Sequence, residues 1–240
     1  MQHQREWGTL FKIGAIAAMV ASLLFRRNIG AEVSLFIGTE AIPVTIQNWY
    51  AMLQERPFIA LSLLSFFDLV NYFLVAVILV ALAALVHKAN KGIAVLALSS
   101  GLIGVALNLS SNISLTLLSL SQQYASAVSE VQKAELLDAG QSILAGNNPL
   151  AEYPATGVLV SLLLIAAAVF MLSLLMLQTH RATAIIGLIA SGCDLLYCVV
   201  FPLTLIAPVY LLLAVAGFFW MVWHFLIALK LLKSGKNTVE

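Results

Sequence analysis

A chain of 240 residues that is 62% hydrophobic and only 10% charged cannot cover its own surface in water, because soluble domains carry roughly 45–50% apolar and about 25% charged side chains. A formal net charge of +1 gives no basic field for nucleic acid, so that class of partner is excluded as well. What remains is a protein whose solvent is largely lipid.

Crossing ~30 Å of hydrocarbon takes about 20 helical residues at 1.5 Å each. The first apolar run, roughly 9–25, is short, but Trp7 and the pair Arg26-Arg27 flank it as interfacial anchors do. Arginines directly after the run are a poor setting for leader cleavage, so it reads as a span. The link that follows carries Ile46, Trp49, Tyr50 and Leu53 at helical spacing, the pattern of an amphipathic helix lying in the bilayer interface. The second and third spans cover about 58–86 and 92–120. The next long link puts Val128, Val131, Ala134 and Leu137 on one helix face among Glu130, Lys133, Glu135 and Asp138, which suits a lid or a partner surface. Spans at about 155–177, 183–206 and 208–232 complete the chain.

The expected fold class is therefore all-α. It is an integral membrane helix bundle of about six transmembrane helices, one domain over 1–240, with amphipathic interfacial segments in the two long outer loops. Six spans put both termini on one side with Arg5, Lys12, Lys88, Lys91, Arg181, Lys230, Lys233 and Lys236, against Arg26, Arg27, Arg56 and Lys133 on the other. That excess points to the cytoplasmic (inner) membrane with both termini cytoplasmic, although Arg26-Arg27 runs against it.

Polar groups inside spans are costly, and they are where function is sought. Asp68 and Asp194 each cost about 2.5–3.5 kcal/mol to insert at a helix centre. Counted from the ends above, both lie roughly 15–17 Å deep, near the midplane. No Lys or Arg lies deep in any span to pair with them. Ser65, Asp68, Asn71 and Tyr72 share a stripe of the second span, and Gly101, Gly104, Asn108, Ser111 and Asn112 line one side of the third. Gly187, Ser191, Asp194 and Tyr197 form a stripe of the fifth span. Tyr210, Gly217, Trp220 and His224 form one of the last, where His224 is expected well toward the cytoplasmic end.

Three roles are open to these groups. Neutral carboxyls can tie helices together through Asn, Ser and Tyr. Two midplane carboxylates can bind a proton or cation during transport. Asp194 and His224 can serve as an acid–base pair in a buried pocket. The first is the leading expectation, with Asp68, Asn71, Asn108, Asn112, Asp194, Tyr197 and His224 as the candidate binding or coupling residues and no catalytic or metal residue named. The second and fifth spans also share a weak likeness, Asp68-Leu-Val-Asn-Tyr with Asp194-Leu-Leu-Tyr-Cys, as in a three-plus-three inverted repeat.

Other signals are weak. Cys193 and Cys198, five residues apart on one helix, point to different faces and cannot bridge. His87 and His180 sit at helix ends beside Lys88 and Arg181 as part of a positive collar. Asn108-Leu-Ser and Asn112-Ile-Ser match the glycosylation triplet inside a span, where it carries no meaning. There is no phosphate loop, no His-Glu-x-x-His and no nucleophile elbow, which leans the reading away from an enzyme; no cofactor is expected.

Three segments, His87-Lys-Ala-Asn-Lys-Gly, Leu115-Thr-Leu-Leu-Ser-Leu-Ser-Gln-Gln-Tyr-Ala and Glu135-Leu-Leu-Asp-Ala-Gly-Gln-Ser-Ile-Leu-Ala, occur in order ahead of the ending Trp223-His-Phe-Leu-Ile-Ala-Leu-Lys-Leu-Leu. Together they resemble an uncharacterised prokaryotic multi-pass membrane family, domain of unknown function 4386. The resemblance runs from about Asp68 onward and implies a multi-pass bundle in the cytoplasmic membrane, with no activity or catalytic residues to carry over. The link through Asn147-Asn148-Pro149 departs from the Gly-rich link expected of the family. The reading that results is a non-catalytic protein binding membrane lipid, a partner subunit or a second copy of itself. The alternative is a small proton- or cation-coupled transporter using Asp68 and Asp194.

Overall fold

A computed structural model describes residues 2–36, 42–146, 155–204 and 210–237, with side chains described within 7–24, 42–146, 155–204 and 211–235. The link at Asn147-Asn148-Pro149 lies outside the described residues, as do the side chains of Arg5, Arg26, Arg27, Tyr210 and Lys236.

Ten helices are described: α1 (Gln2–Phe36), α2 (Ile46–Glu55), α3 (Pro57–Leu63), α4 (Phe66–Val86), α5 (Lys91–Ser111), α6 (Ser114–Ser126), α7 (Glu130–Gly146), α8 (Thr156–Met176), α9 (Arg181–Thr204) and α10 (Tyr210–Asn237). Six helical stretches are long and apolar enough to cross a membrane, and the fold is the all-α membrane bundle expected. Local chemistry sets several helix starts. Asn90 caps α5 by accepting from the Ile93 N–H at 3.0 Å, Thr45 caps α2 through Asn48 N–H at 3.3 Å, and Pro57 opens α3 where its missing N–H costs nothing.

The spans pack as a closed ring in chain order. α1 lies on α4, α4 on α5, α5 on α8, α8 on α9, α9 on α10, and α10 returns to α1. Small residues let the backbones approach, since nothing bulkier fits. A methyl at Gly104 of α5 would press 2.9 Å from the Ser161 carbonyl of α8. Hydroxyls stitch neighbours to backbone: Ser100 donates to the Leu164 carbonyl and Ser22 to the Met221 carbonyl, each at 3.1 Å. Phe73, Leu96, Ile103, Val199 and Phe218 stay exposed on the outer wall, as lipid contact requires.

Both chain ends lie at one end of the ring, where Trp7 stacks on His87 at 5.8 Å between ring centroids. At the other end α2, α3, α6 and α7 form a cap. Its core is separate from that of the ring: Ile46, Trp49, Tyr50, Leu53, Ala60, Leu64, Leu117 and Leu144. Tyr50 donates to the Leu136 carbonyl at 2.8 Å over Gly140, and Gln54 donates to the Ser121 carbonyl at 2.9 Å.

Here the structure departs from three expectations. The α2 stripe is helical as its spacing requires, yet it is buried against other cap helices instead of lying on lipid. On α7 the face that packs carries Gly140 and Leu144, while Val128 and Val131 are 94% and 70% exposed and Ala134 is exposed too. The runs 58–86 and 92–120 are not single helices. The first breaks at Leu64-Ser65 and the second at Asn112-Ile113.

Candidate functional site

The two breaks sit side by side. α4 and α5 are each 21 residues long and joined by a short turn, so the start of one is level with the end of the other. Ser65 adopts the left-handed conformation (φ 59°, ψ 32°), which costs a residue with a Cβ roughly 1–2 kcal/mol. Asn112 holds the breaks together. Its amide donates to the Ser65 carbonyl at 2.9 Å, and its oxygen accepts from the Ser114 N–H at 3.0 Å and from the Ser114 hydroxyl at 2.5 Å. The Ser65 carbonyl also receives the Asp68 N–H at 3.1 Å.

A cavity of about 150 Å³ opens at this junction. Its polar lining is Ser65, Asp68, Asn108, Ser111 and Asn112; Leu63, Leu64, Ile113 and Val158 supply the apolar walls. Several waters or one small polar group fit such a volume. Asp68 stands in the first turn of α4, where a negative charge complements the helix dipole. Asn108 is 8% exposed, and its carboxamide has no hydrogen-bond partner among the described residues. Neighbouring Asn71 is 3% exposed, with its Oδ1 unpartnered among the described residues. The Ser111 hydroxyl lies against Gly157 of α8, so that helix closes over the cavity only because no side chain stands there.

Asp68 is therefore not at the midplane. Counting from Phe58 included cap residues, and the spanning helix starts at Phe66. Ser65 likewise leaves the predicted stripe for the break itself.

Asp194 lies elsewhere. It is mid-helix in α9 and 3% exposed, and its Oδ2 accepts from the Trp220 indole N–H of α10 at 2.7 Å. His224 is fully buried, and its Nδ1–H donates to the Trp220 carbonyl at 2.7 Å; its ring packs against both Trp220 and Trp223. It is thus mid-helix in α10, one turn from the donor to Asp194, and not toward one end as expected. Tyr197 is buried and stacks on Phe201 at 5.1 Å in a small apolar cluster with Cys198.

Four of the seven candidate residues thus gather at or beside the helix breaks: Asp68, Asn71, Asn108 and Asn112. Asp194, Tyr197 and His224 belong to packed helix contacts. The two aspartates also differ in depth, which weakens the inverted-repeat expectation. Tyr72, one turn beyond Asp68, lies within electrostatic reach of both carboxylates. Sequence reasoning missed the roles of Ser65 and Ser111 at the cavity and of Trp220 as the partner of Asp194. The Asn112-Ile-Ser triplet was the available signal: an Asn two residues before a Ser is also how a chain turns and restarts a helix.

A family model described as a domain of unknown function, DUF4386, matches residues 7–230. The chain belongs to that family. The match takes in the cap, both helix breaks and the Asp194 contact, so the DUF4386 region includes the whole candidate site. No curated protein and no solved structure matches the chain.

Proposed function

We propose that this DUF4386 protein is a non-catalytic ligand-binding protein of the cytoplasmic membrane, with both termini cytoplasmic, and that its cap-end cavity holds the polar head of a membrane lipid. The observation that carries this reading is the level of the cavity. It opens where α4 begins, α5 ends and α8 begins, the level at which this reading sets the passage from hydrocarbon to headgroups. An amphiphile can enter there with its tails still in the bilayer. Exposed apolar side chains lie on both sides of that level, Phe58 and Leu115 on the cap and Val70 and Phe73 on α4. The orientation rests on Lys12, Lys88, Lys91, Arg181, Lys230 and Lys233 at the end opposite the cap.

The test is to purify the full chain, wash away loosely held lipid and count what stays by native mass spectrometry. Val158→Phe, which fills the cavity from α8, should reduce retained lipid severalfold in a protein that still folds. Equal retention in the variant and the wild type refutes the site.

A second reading, a cation- or proton-coupled carrier, is favoured by Tyr72 standing within reach of both Asp68 and Asp194. Proton-linked uptake that survives in an Asp68→Asn, Asp194→Asn double variant would dispose of it.

A further inference from the structure

The end of the ring opposite the cap carries a cluster of cations that the cap-end cavity does not use. We infer that the seam between α9 and α10 at that end binds the headgroup phosphate of an anionic phospholipid through Arg181, Lys230 and Lys233, with the acyl chains laid on the apolar wall below. The inference is independent of the cavity.

The packing of two helices brings these cations together from distant parts of the sequence. Asp194 meets Trp220, Gly187 lies against Trp223, and His180 is within electrostatic reach of Lys230 and Lys233, so α9 and α10 run in opposite senses. The first turn of α9 therefore stands beside the last turns of α10. Arg181, directly after His180, and Lys233 are exposed, while Lys230 is half-buried. Among the described residues none of the three forms an ion pair. Their mutual repulsion registers on a neighbour. Burial holds the His180 pKa below its usual value, and Lys230 and then Lys233 press it lower. An anion seated among them relieves that repulsion.

The occupant follows from what lies next to the cations along each helix. Arg181 heads a line at four-residue spacing that continues through Ile185 and Ile189, both exposed. On α10 the exposed Leu229 and Leu232 lead up to Lys233. Cations above exposed apolar strips match a ligand with a negative head and hydrocarbon tails, whereas a soluble anion or an acidic peptide engages the cations alone. Guanidinium presents a fork to phosphate oxygens and ammonium a point charge, and basic groups set between spanning helices recognise phosphate headgroups. A zwitterionic lipid carries its own cation into the cluster, where Lys and Arg oppose it, so the anionic class is selected.

The experiment places the full chain in nanodiscs of phosphatidylcholine with equal amounts of phosphatidylethanolamine and phosphatidylglycerol, and counts by native mass spectrometry the lipid that stays bound on extraction. Phosphatidylglycerol should be enriched about tenfold over the other two, the scale of a few basic groups near a membrane surface. Lys230→Gln with Lys233→Gln should cut that enrichment to about twofold or less. Lys88→Gln with Lys91→Gln removes as many charges from the α4–α5 turn at the same end and should leave it in place. Arg181→Gln, a single exposed change, reads the same seam should the double variant fail to fold. In Val158→Phe, which fills the cap-end cavity, the lipid that remains should still be rich in phosphatidylglycerol, so this site and the cavity fail separately. Equal loss in the two glutamine pairs means diffuse attraction by the whole positive end and overturns the site, as does equal binding of all three lipids by the wild type. A parallel arm adds inorganic phosphate at constant ionic strength. Displacement of phosphatidylglycerol there assigns the seam to a soluble anion and overturns the lipid as its occupant.

Discussion

The Asp194–Trp220 contact allows a quantitative test of whether the deepest carboxyl is there for its charge or for its shape as an acceptor. Trp220→Phe removes the indole N–H that Oδ2 accepts at 2.7 Å, in a place where Asp194 is 3% exposed and water does not substitute. Orphaning a buried acceptor costs about 1–3 kcal/mol. The missing part of the indole, on a side chain itself only 7% exposed, adds about 1–2 kcal/mol of lost packing. The expected total is about 2–5 kcal/mol. Asp194→Asn is expected to behave differently, because the carboxamide oxygen accepts from the same N–H; bonds of this type inside membranes average about 0.6 kcal/mol, and the swap should cost less than about 1 kcal/mol. A combined Trp220→Phe, Asp194→Leu variant should be more stable than the sum of its single changes, because no orphan remains. Reversible unfolding by steric trapping in bicelles measures all of these. If Asp194→Asn costs as much as Trp220→Phe, the contact requires the carboxylate itself, and the account of Asp194 as a helix tie is wrong.

Two further predictions follow from the break and from the end that carries the termini. Ser65 pays for its left-handed backbone, so Ser65→Gly should leave stability unchanged or raise it by up to about 1 kcal/mol. Ser65→Val should lower it by more than about 1 kcal/mol, both readable by thermal unfolding. His180 is held below the ordinary histidine value, first by burial and then by Lys230 and Lys233. The folded state then binds fewer protons than the unfolded one, so stability is full above about pH 6.5 and falls as pH drops below it. His180→Gln should flatten that slope, and Lys230→Gln should shift the His180 titration upward in NMR; an unmoved titration refutes the electrostatic part.

The six spans were legible because mean hydropathy over some twenty residues depends little on packing. The breaks were not, for the same reason. One serine in 58–86, or Asn-Ile-Ser in 92–120, barely lowers an average over an apolar run. Yet both runs overshoot the roughly 20 residues that a crossing needs, and the excess is cap. That single misreading carried Asp68 to the midplane and kept Ser65 in its stripe. On α2 the periodicity was right, but it names a buried face without naming what buries it. On α7 the packed face is marked by Gly140, which lets Tyr50 close over it, and a glycine leaves no hydrophobic trace. At the site, the clustering of Asn and Ser on α5 was visible, and Trp220 was placed on one stripe with His224, but nothing in the spacing of one helix says that its indole N–H meets Asp194 of another.

The ring has a temporal consequence for a chain made from one end. Its closing wall joins α1 to α10, with the Ser22 hydroxyl on the Met221 carbonyl across 199 positions of sequence. Five spans must therefore enter the bilayer before α1 meets its last neighbour, and until then the flank that takes Met221 faces lipid or an insertion factor. Damage to α10 should accordingly surface as a failure of biogenesis, with α1 through α9 inserted but unsealed, before it surfaces as any loss of binding.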